Sequence, residues 1–200
     1  MERRHNLQKK NQHLVELWQL AKSGDKQAFC QLAESQRPIL INYATSFTKD
    51  RELSKDLIQD LFLNIWENRQ SLNINVVTIY LLQALRNRLL DHLRIRDRVT
   101  ELEEDDAFFV DDFVIESNLI EEEHFSQTRQ SIRQALAQLP LRQQEVLFLK
   151  FYQGLDLERI AEVMSISRQS VANHQHRALN SLKTLLVRYA LPFFILYLIF

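Results

Sequence analysis

The 200-residue chain has two glycines and three prolines, too few for a β-rich fold with its many tight turns, and its abundance of Leu, Gln, Glu and Arg favours helix throughout. Cys30 is the only cysteine, which excludes an internal disulfide and a thiolate metal cluster and fits a reducing compartment. The net charge of −1 hides a segregation: residues 1–98 carry 16 Lys and Arg against 11 Asp and Glu, residues 99–123 carry 11 acids and no base, and residues 124–200 carry 9 bases against 4 acids. Two basic lobes around an acidic connector point to two surfaces for a polyanion. Solvation alone explains the connector better than it explains the lobes. No apolar run of signal-peptide length opens the chain, so the expectation is a cytoplasmic protein.

The first lobe reads as four helices. Residues 12–22 place Leu14, Leu17, Trp18 and Ala21 on one face. Gly24-Asp25 breaks the pattern, with Asp25 set to cap a second helix that carries Ala28, Phe29, Leu32 and Ala33, then Ile39, Leu40, Tyr43, Ala44 and Phe47. Pro38 lies inside that run and is expected to kink or split it. Asp50 opens a third helix with Leu53, Leu57, Leu61, Phe62, Ile65 and Trp66 as its apolar stripe and Lys55, Asp56, Gln59, Asp60 and Asn64 on the other face. Residues 68–75 form a polar loop. A fourth helix from Val76 carries Tyr80, Leu81, Leu82, Leu85, Leu89, Leu90 and Leu93 and ends in Arg94, Arg96 and Arg98. Domain one is expected over residues 10–98.

The connector, residues 99–125, intersperses Phe108-Phe109-Val110 and Phe113-Val114-Ile115 among its carboxylates, so it is not a purely polar tether. A second small helical domain is expected over 126–188. Ile132, Ala135, Leu136 and Leu139 mark one helix; Pro140 starts the next, carrying Val146, Leu147, Leu149 and Phe151, and Gly154 ends it. Leu157, Ile160, Ala161 and Met164 then share a helical face, Ser165-Ile166-Ser167 interrupts it, and Ser167 is a good N-cap for a helix with Val171, Ala178, Leu179 and Leu182 inside. Two short helices around a tight turn describe a helix-turn-helix. Its outer row, Arg168, Gln169, Ser170, Asn173, His174 and Arg177, suits base edges and phosphates in a major groove. An ordinary helical hairpin in an all-α core fits the same pattern.

Taken in order, these pieces resemble the sigma factors of bacterial RNA polymerase, specifically the small extracytoplasmic-function group, over about residues 20–188. Asp25–Phe29 looks like the family's opening helix, and Ser54–Trp66 like the helix that docks on the polymerase clamp. Tyr80-Leu81, Arg86-Asn87, Asp91–Arg94 and the trailing arginines look like the promoter-melting helix. Leu139-Pro140, Gln143–Val146 and Gly154-Leu155 precede the helix-turn-helix as they do in the family. Joint order and spacing carry the resemblance; no single piece is decisive.

The resemblance implies an all-α protein of two small helical domains joined by an acidic linker, without cofactor, metal or catalytic site. Asp56, Gln59, Asp60, Phe62 and Asn64 would bind core polymerase, though such a polar face is also what any solvated helix presents. Asn73, Asn75, Tyr80, Arg86, Asn87, Arg88, Asp91, Arg94, Arg96 and Arg98 would bind the minus-ten DNA, with the loop Gln70–Asn75 holding a flipped base and the arginines following the strand. Arg168, Gln169, Ser170, Asn173, His174 and Arg177 would read the minus-thirty-five element. The sequence departs from the family where Gly commonly stands at Ser165, Lys or Arg at Ala172, and an apolar residue at Gln175; Ala172 removes a phosphate contact and Gln175 loosens the packing of that helix. The connector would thread through polymerase or serve as a disordered tether.

Residues 189–200 form an apolar tail outside the pattern. Its ten consecutive apolar residues fall short of the roughly 20 a membrane-spanning helix needs, so stable membrane insertion is not expected. Packing on the protein itself or on a partner such as an anti-sigma factor fits better. A stand-alone helix-turn-helix regulator is the alternative, but it leaves Asn87, Asp91 and the arginine series unexplained. An enzyme is disfavoured: His174 and His176 point apart on a helix, and no nucleophile motif or phosphate loop is present.

Overall fold

The computed structural model describes residues 2–99 and 123–199, with side chains for 11–93 and 130–186. All of the regular structure in these residues is helical: α1 (Glu2–Lys22), α2 (Lys26–Thr48), α3 (Arg51–Glu67), α4 (Val77–Val99), α5 (Glu123–Ala137), α6 (Leu141–Leu147) running into a π-helical turn (Phe148–Tyr152), α7 (Leu157–Met164) and α8 (Arg168–Ile199). The chain divides into two compact units, residues 1–102 with Glu162–Met164, and residues 103–161 with 165–200.

In the first unit α2 packs against each of α1, α3 and α4. Its start is set by Asp25, whose carboxylate accepts from Gln27 N at 2.8 Å and Ala28 N at 3.1 Å. Asp50 caps α3 in the same way through Glu52 N (2.9 Å) and Leu53 N (3.1 Å). Trp18, Leu32, Leu40, Tyr43, Phe47, Leu61, Leu81, Leu82, Leu85 and Leu89 are fully buried. Buried Gln36 accepts from Thr78 Oγ1 at 2.7 Å, so a polar side chain inside the core joins α2 to the first turn of α4.

Several expectations shift. Helix α1 begins ten residues earlier than the apolar pattern, because its polar first half carries no stripe to announce it. Pro38 does not split α2. Pro38 and Glu34, the residue whose carbonyl loses its N–H partner to the proline, are both exposed. Ile58, not Leu53 or Leu57, joins Leu61, Phe62 and Ile65 in the core; it stands one turn from Leu61 and Phe62, whereas Leu53 and Leu57 lie at the edge and are half-buried.

In the second unit α5 and α6 each pack against α8. Leu136, Leu139, Leu147 and Ala178 form a core cluster that Leu182 covers. Gln144 is buried and donates to Leu139 O at 2.6 Å, closing the α5–α6 turn. Pro140 is the cap that precedes α6. The π turn inserts a residue into the helical register, so Phe151 swings out to 58% exposure instead of joining Val146, Leu147 and Leu149. Gly154 ends this segment at φ 67°, in the left-handed region that glycine tolerates best.

Between α7 and α8 the turn is made by Ser165, at φ 54°. A left-handed backbone at a residue with a Cβ carries strain that glycine would relieve. Ser165→Gly is therefore expected to raise the free energy of unfolding by about 0.5–1 kcal/mol, the remainder being offset by glycine's freedom in the unfolded chain. A urea titration of the two proteins checks this; an unchanged or lower midpoint would contradict it.

Candidate nucleic-acid interface

The outer row of the second unit is built from the turn upward. Ser167 Oγ accepts from Ser170 N at 3.1 Å and lies 2.8 Å from Ser170 Oγ, capping α8 and tying the Ser170 hydroxyl to the cap. Asp156 caps α7 through Arg159 N at 3.0 Å. Val171 and Ala178 are fully buried and set the rotation of α8. Leu179, expected inside, is 42% exposed, since the buried stripe is too narrow to include both it and Ala178. Gln175 falls within that stripe and is half-buried.

That rotation leaves Arg168, Gln169, Asn173 and Arg177 exposed, with Ser170 and His174 half-buried. Three of the exposed residues are held by contacts. Arg168 Nε meets Glu158 Oε1 at 2.6 Å, and Gln169 Nε2 donates to Asn173 Oδ1 at 3.3 Å, one turn along. Burial pushes the His174 imidazole below its ordinary pKa, and the nearby Arg142 and Arg177 act in the same direction against Glu145. At neutral pH His174 is a neutral ring, one nitrogen donating and the other accepting. Arg142 on α6 thus belongs to the charged surroundings of the row, although it lies outside the helix-turn-helix pattern that directed the sequence reading.

In the first unit the loop after α3 is held at its start and its middle. Arg69 stacks 4.2 Å over the Trp66 ring and donates through Nη1 to Trp66 O at 2.7 Å. Trp66 in turn packs on Phe29 at 5.1 Å. Lys22 Nζ donates to Leu72 O at 2.8 Å, so α1 pins the middle of the loop. Ile74 is buried between exposed Asn73 and Asn75, which turns both amides outward. Lys22 escaped the sequence reading because nothing in a one-dimensional pattern pairs it with a carbonyl fifty residues away.

Helix α4 presents Asn87 and Asp91, with Arg88 and Tyr80 half-buried. Burial raises the Tyr80 hydroxyl above its ordinary value, against the pull of Arg88, so it stays protonated. Arg86 corrects the expected arginine series: it is 8% exposed and faces the interior, one helical position away from exposed Asn87. Arg94, Arg96 and Arg98 lie on the backbone of α4, but their side chains fall outside the described residues, as do residues 100–122 of the acidic connector and the side chains of the apolar tail. The tail backbone continues α8 through Pro192, and no described helix is long and apolar enough to cross a membrane.

On α3, Asp56, Gln59, Asp60 and Asn64 are exposed, and Leu63 stands among them at 53% exposure. Leu63 was missed by sequence, although its spacing from Asp56, Gln59 and Asp60 repeats every three or four residues. Phe62 is buried, edge-on to Phe29 at 6.1 Å, and forms part of the floor of a cleft of about 150 Å³ lined also by Arg37, Ile41, Lys55, Ile58 and Gln59. Among the described residues no group of His, Cys, Asp and Glu could hold a metal ion.

Sigma-70 region 2 matches residues 32–99, and Sigma-70 region 4 matches residues 129–182. The chain is 24% identical over 143 residues to the ECF RNA polymerase sigma factor SigM of Bacillus subtilis (strain 168), covering 72% of this chain and 85% of that protein. It is 22% identical over 146 residues to the RNA polymerase sigma factor SigV of the same organism, covering 72% and 82%. Among solved structures, the sigma factor RpoE in complex with the anti-sigma factor NepR from Bartonella quintana superposes with a TM-score of 0.58 at 26% identity, over 79% of this chain and 96% of that one. CnrH in complex with the cytosolic domain of CnrY shares the fold, with a TM-score of 0.60 at 21% identity over 86% and 96%.

The depressed His174 pKa gives a pH dependence with a definite sign. The unfolded chain, with histidine near about 6.5, takes up the proton before the folded chain does. The stability from neutral His174 is fully present above that pH and declines as pH falls below it toward the folded value. Amide-exchange protection in the second unit should drop between pH 7.5 and 5.5, and His174→Gln should flatten the drop. An identical pH response in the variant would refute the assignment.

Proposed function

As a member of the sigma-70 family, in its extracytoplasmic-function group, the chain is a promoter-specificity subunit of bacterial RNA polymerase acting in transcription initiation, and we propose how its two units divide that work. The first unit docks on core polymerase through Asp56, Gln59, Asp60, Leu63 and Asn64, with Phe62 bracing the helix from beneath. An exposed leucine among carboxylates and amides supplies the apolar anchor and polar rim of a protein interface. The same unit engages the minus-ten element. Asn73 and Asn75 offer amides to an extruded base, the Tyr80 ring a stacking surface, and Asn87, Arg88 and the α4 end contacts to the strand. Arg86 supports this helix from inside.

The second unit reads the minus-thirty-five element with Arg168, Gln169, Asn173 and Arg177, while His174 offers a neutral ring and Ser170 chiefly braces the cap. The observation that carries the proposal is the presence, in one chain and in family order, of a region 2 unit with an outward-turned loop and a region 4 unit with an exposed polar row. A stand-alone helix-turn-helix regulator would have no use for the first of these. The protein has no catalytic role of its own, and it works in the cytoplasm with core polymerase and promoter DNA. Its fold relative RpoE is bound by an anti-sigma factor, and a protein inhibitor of that kind is proposed here too.

Promoter-directed transcription with purified core polymerase tests the reading; a chain that neither binds core nor directs initiation would sink it. Replacing Arg94 and Arg96 together by Ala should lower open-complex formation about tenfold or more while closed binding falls less, because the cations are needed most once the strands separate. Permanganate reactivity of unpaired thymines, set against band-shift affinity, separates the two steps. Equal losses in both would remove these arginines from melting.

A further inference from the structure

Arg168 and Glu158 meet across the turn between α7 and α8. Both side chains are well exposed, 66% and 60%, and such a pair adds little to folding. Its geometry is specific, however. Glu158 sits in the first turn of α7, and its Oε1 takes the Nε of Arg168, the first residue of α8, at 2.6 Å across the turn. A guanidinium bound through Nε still has the edge formed by its two terminal nitrogens, the edge that pairs bidentately with O6 and N7 of guanine.

We propose that Glu158 is a positioning residue for base reading, holding the Arg168 guanidinium by its inner nitrogen so that the outer edge meets a guanine in the minus-thirty-five element. The inference rests on the proposed role of Arg168 and adds the residue that makes this role selective. A free arginine has many rotamers and can slip to a phosphate, which binds DNA but reads nothing. A carboxylate on the preceding helix removes that freedom before DNA arrives, and interactions ordered in advance lose less on binding. The neighbouring Gln169–Asn173 hydrogen bond restrains the next side chain in the row similarly.

The test uses the full chain on core polymerase and a promoter duplex selected for binding to that holoenzyme, together with duplexes changed one base pair at a time through the minus-thirty-five element. Arg168→Ala should erase a guanine preference at one position, about tenfold in relative affinity. Glu158→Ala should weaken the same preference, and no other, by about two- to fivefold, the scale of an exposed ion pair. Affinity for non-cognate DNA should hold or rise, since a negative charge leaves the surface. Glu158→Gln keeps an acceptor oxygen at the same reach and should retain most of the discrimination. Three outcomes overturn the proposal: Glu158→Ala sharpening the preference, which would make the carboxylate a competitor of DNA; losses spread evenly over all positions, which would make it structural; or no change at all. If Arg168→Ala itself leaves every preference intact, the reading of Arg168 fails and this inference fails with it.

Discussion

A helix can read DNA only if its rotation about its own axis is fixed, because a turn of one residue carries every contacting side chain some 100° away from the groove. In this protein the rotation of α8 is fixed by a narrow stripe: Val171 and Ala178, both wholly buried, with Leu182 over the cluster of Leu136, Leu139 and Leu147. Everything proposed for the second unit depends on that stripe. It sets which residues face out, and the Ser167 cap sets where the helix begins. The narrowness has consequences. It leaves Leu179 exposed and tolerates a half-buried Gln175 in a place where an apolar side chain would pack better.

The role proposed for the first unit makes a different demand, met by different means. A loop that offers side chains to an extruded base has to be both exposed and still, and loops have few internal hydrogen bonds to keep them still. Here the restraint comes from outside the loop. The aromatic group Phe29, Trp66 and Arg69 anchors its start, Lys22 grips the carbonyl of Leu72, and the buried side chain of Ile74 pins it from below. Asn73 and Asn75 point outward as the alternation around Ile74 requires. Both units thus use the same economy: apolar burial of one or two residues orients polar neighbours that have no packing of their own.

Much of this was legible in the sequence. The caps Asp25, Asp50 and Ser167 stood where side-chain acceptors are needed at the start of apolar-periodic runs, and the core positions of α1 and α2 followed a simple 3.6-residue period. The errors cluster where that period is disturbed or where a helix lies at an edge. The π turn threw Phe151 outward, and Ile58 displaced Leu53 and Leu57 because only packing decides which of several apolar residues lies deepest. Arg86 is the instructive case. As a letter in a basic series it resembles its neighbours, yet its helical position turns it inward while Asn87 turns out.

By itself the sequence determined the all-α class, the helix-turn-helix and the order of pieces that marks the family, because these depend on local periodicity, capping and spacing along the chain. Only the tertiary structure decided which polar side chains are held and by what. Lys22 reaches the loop from a separate helix, and Glu158 reaches Arg168 across a turn. Such pairings depend on distances between elements, and a linear pattern carries no information about a distance until the chain has packed.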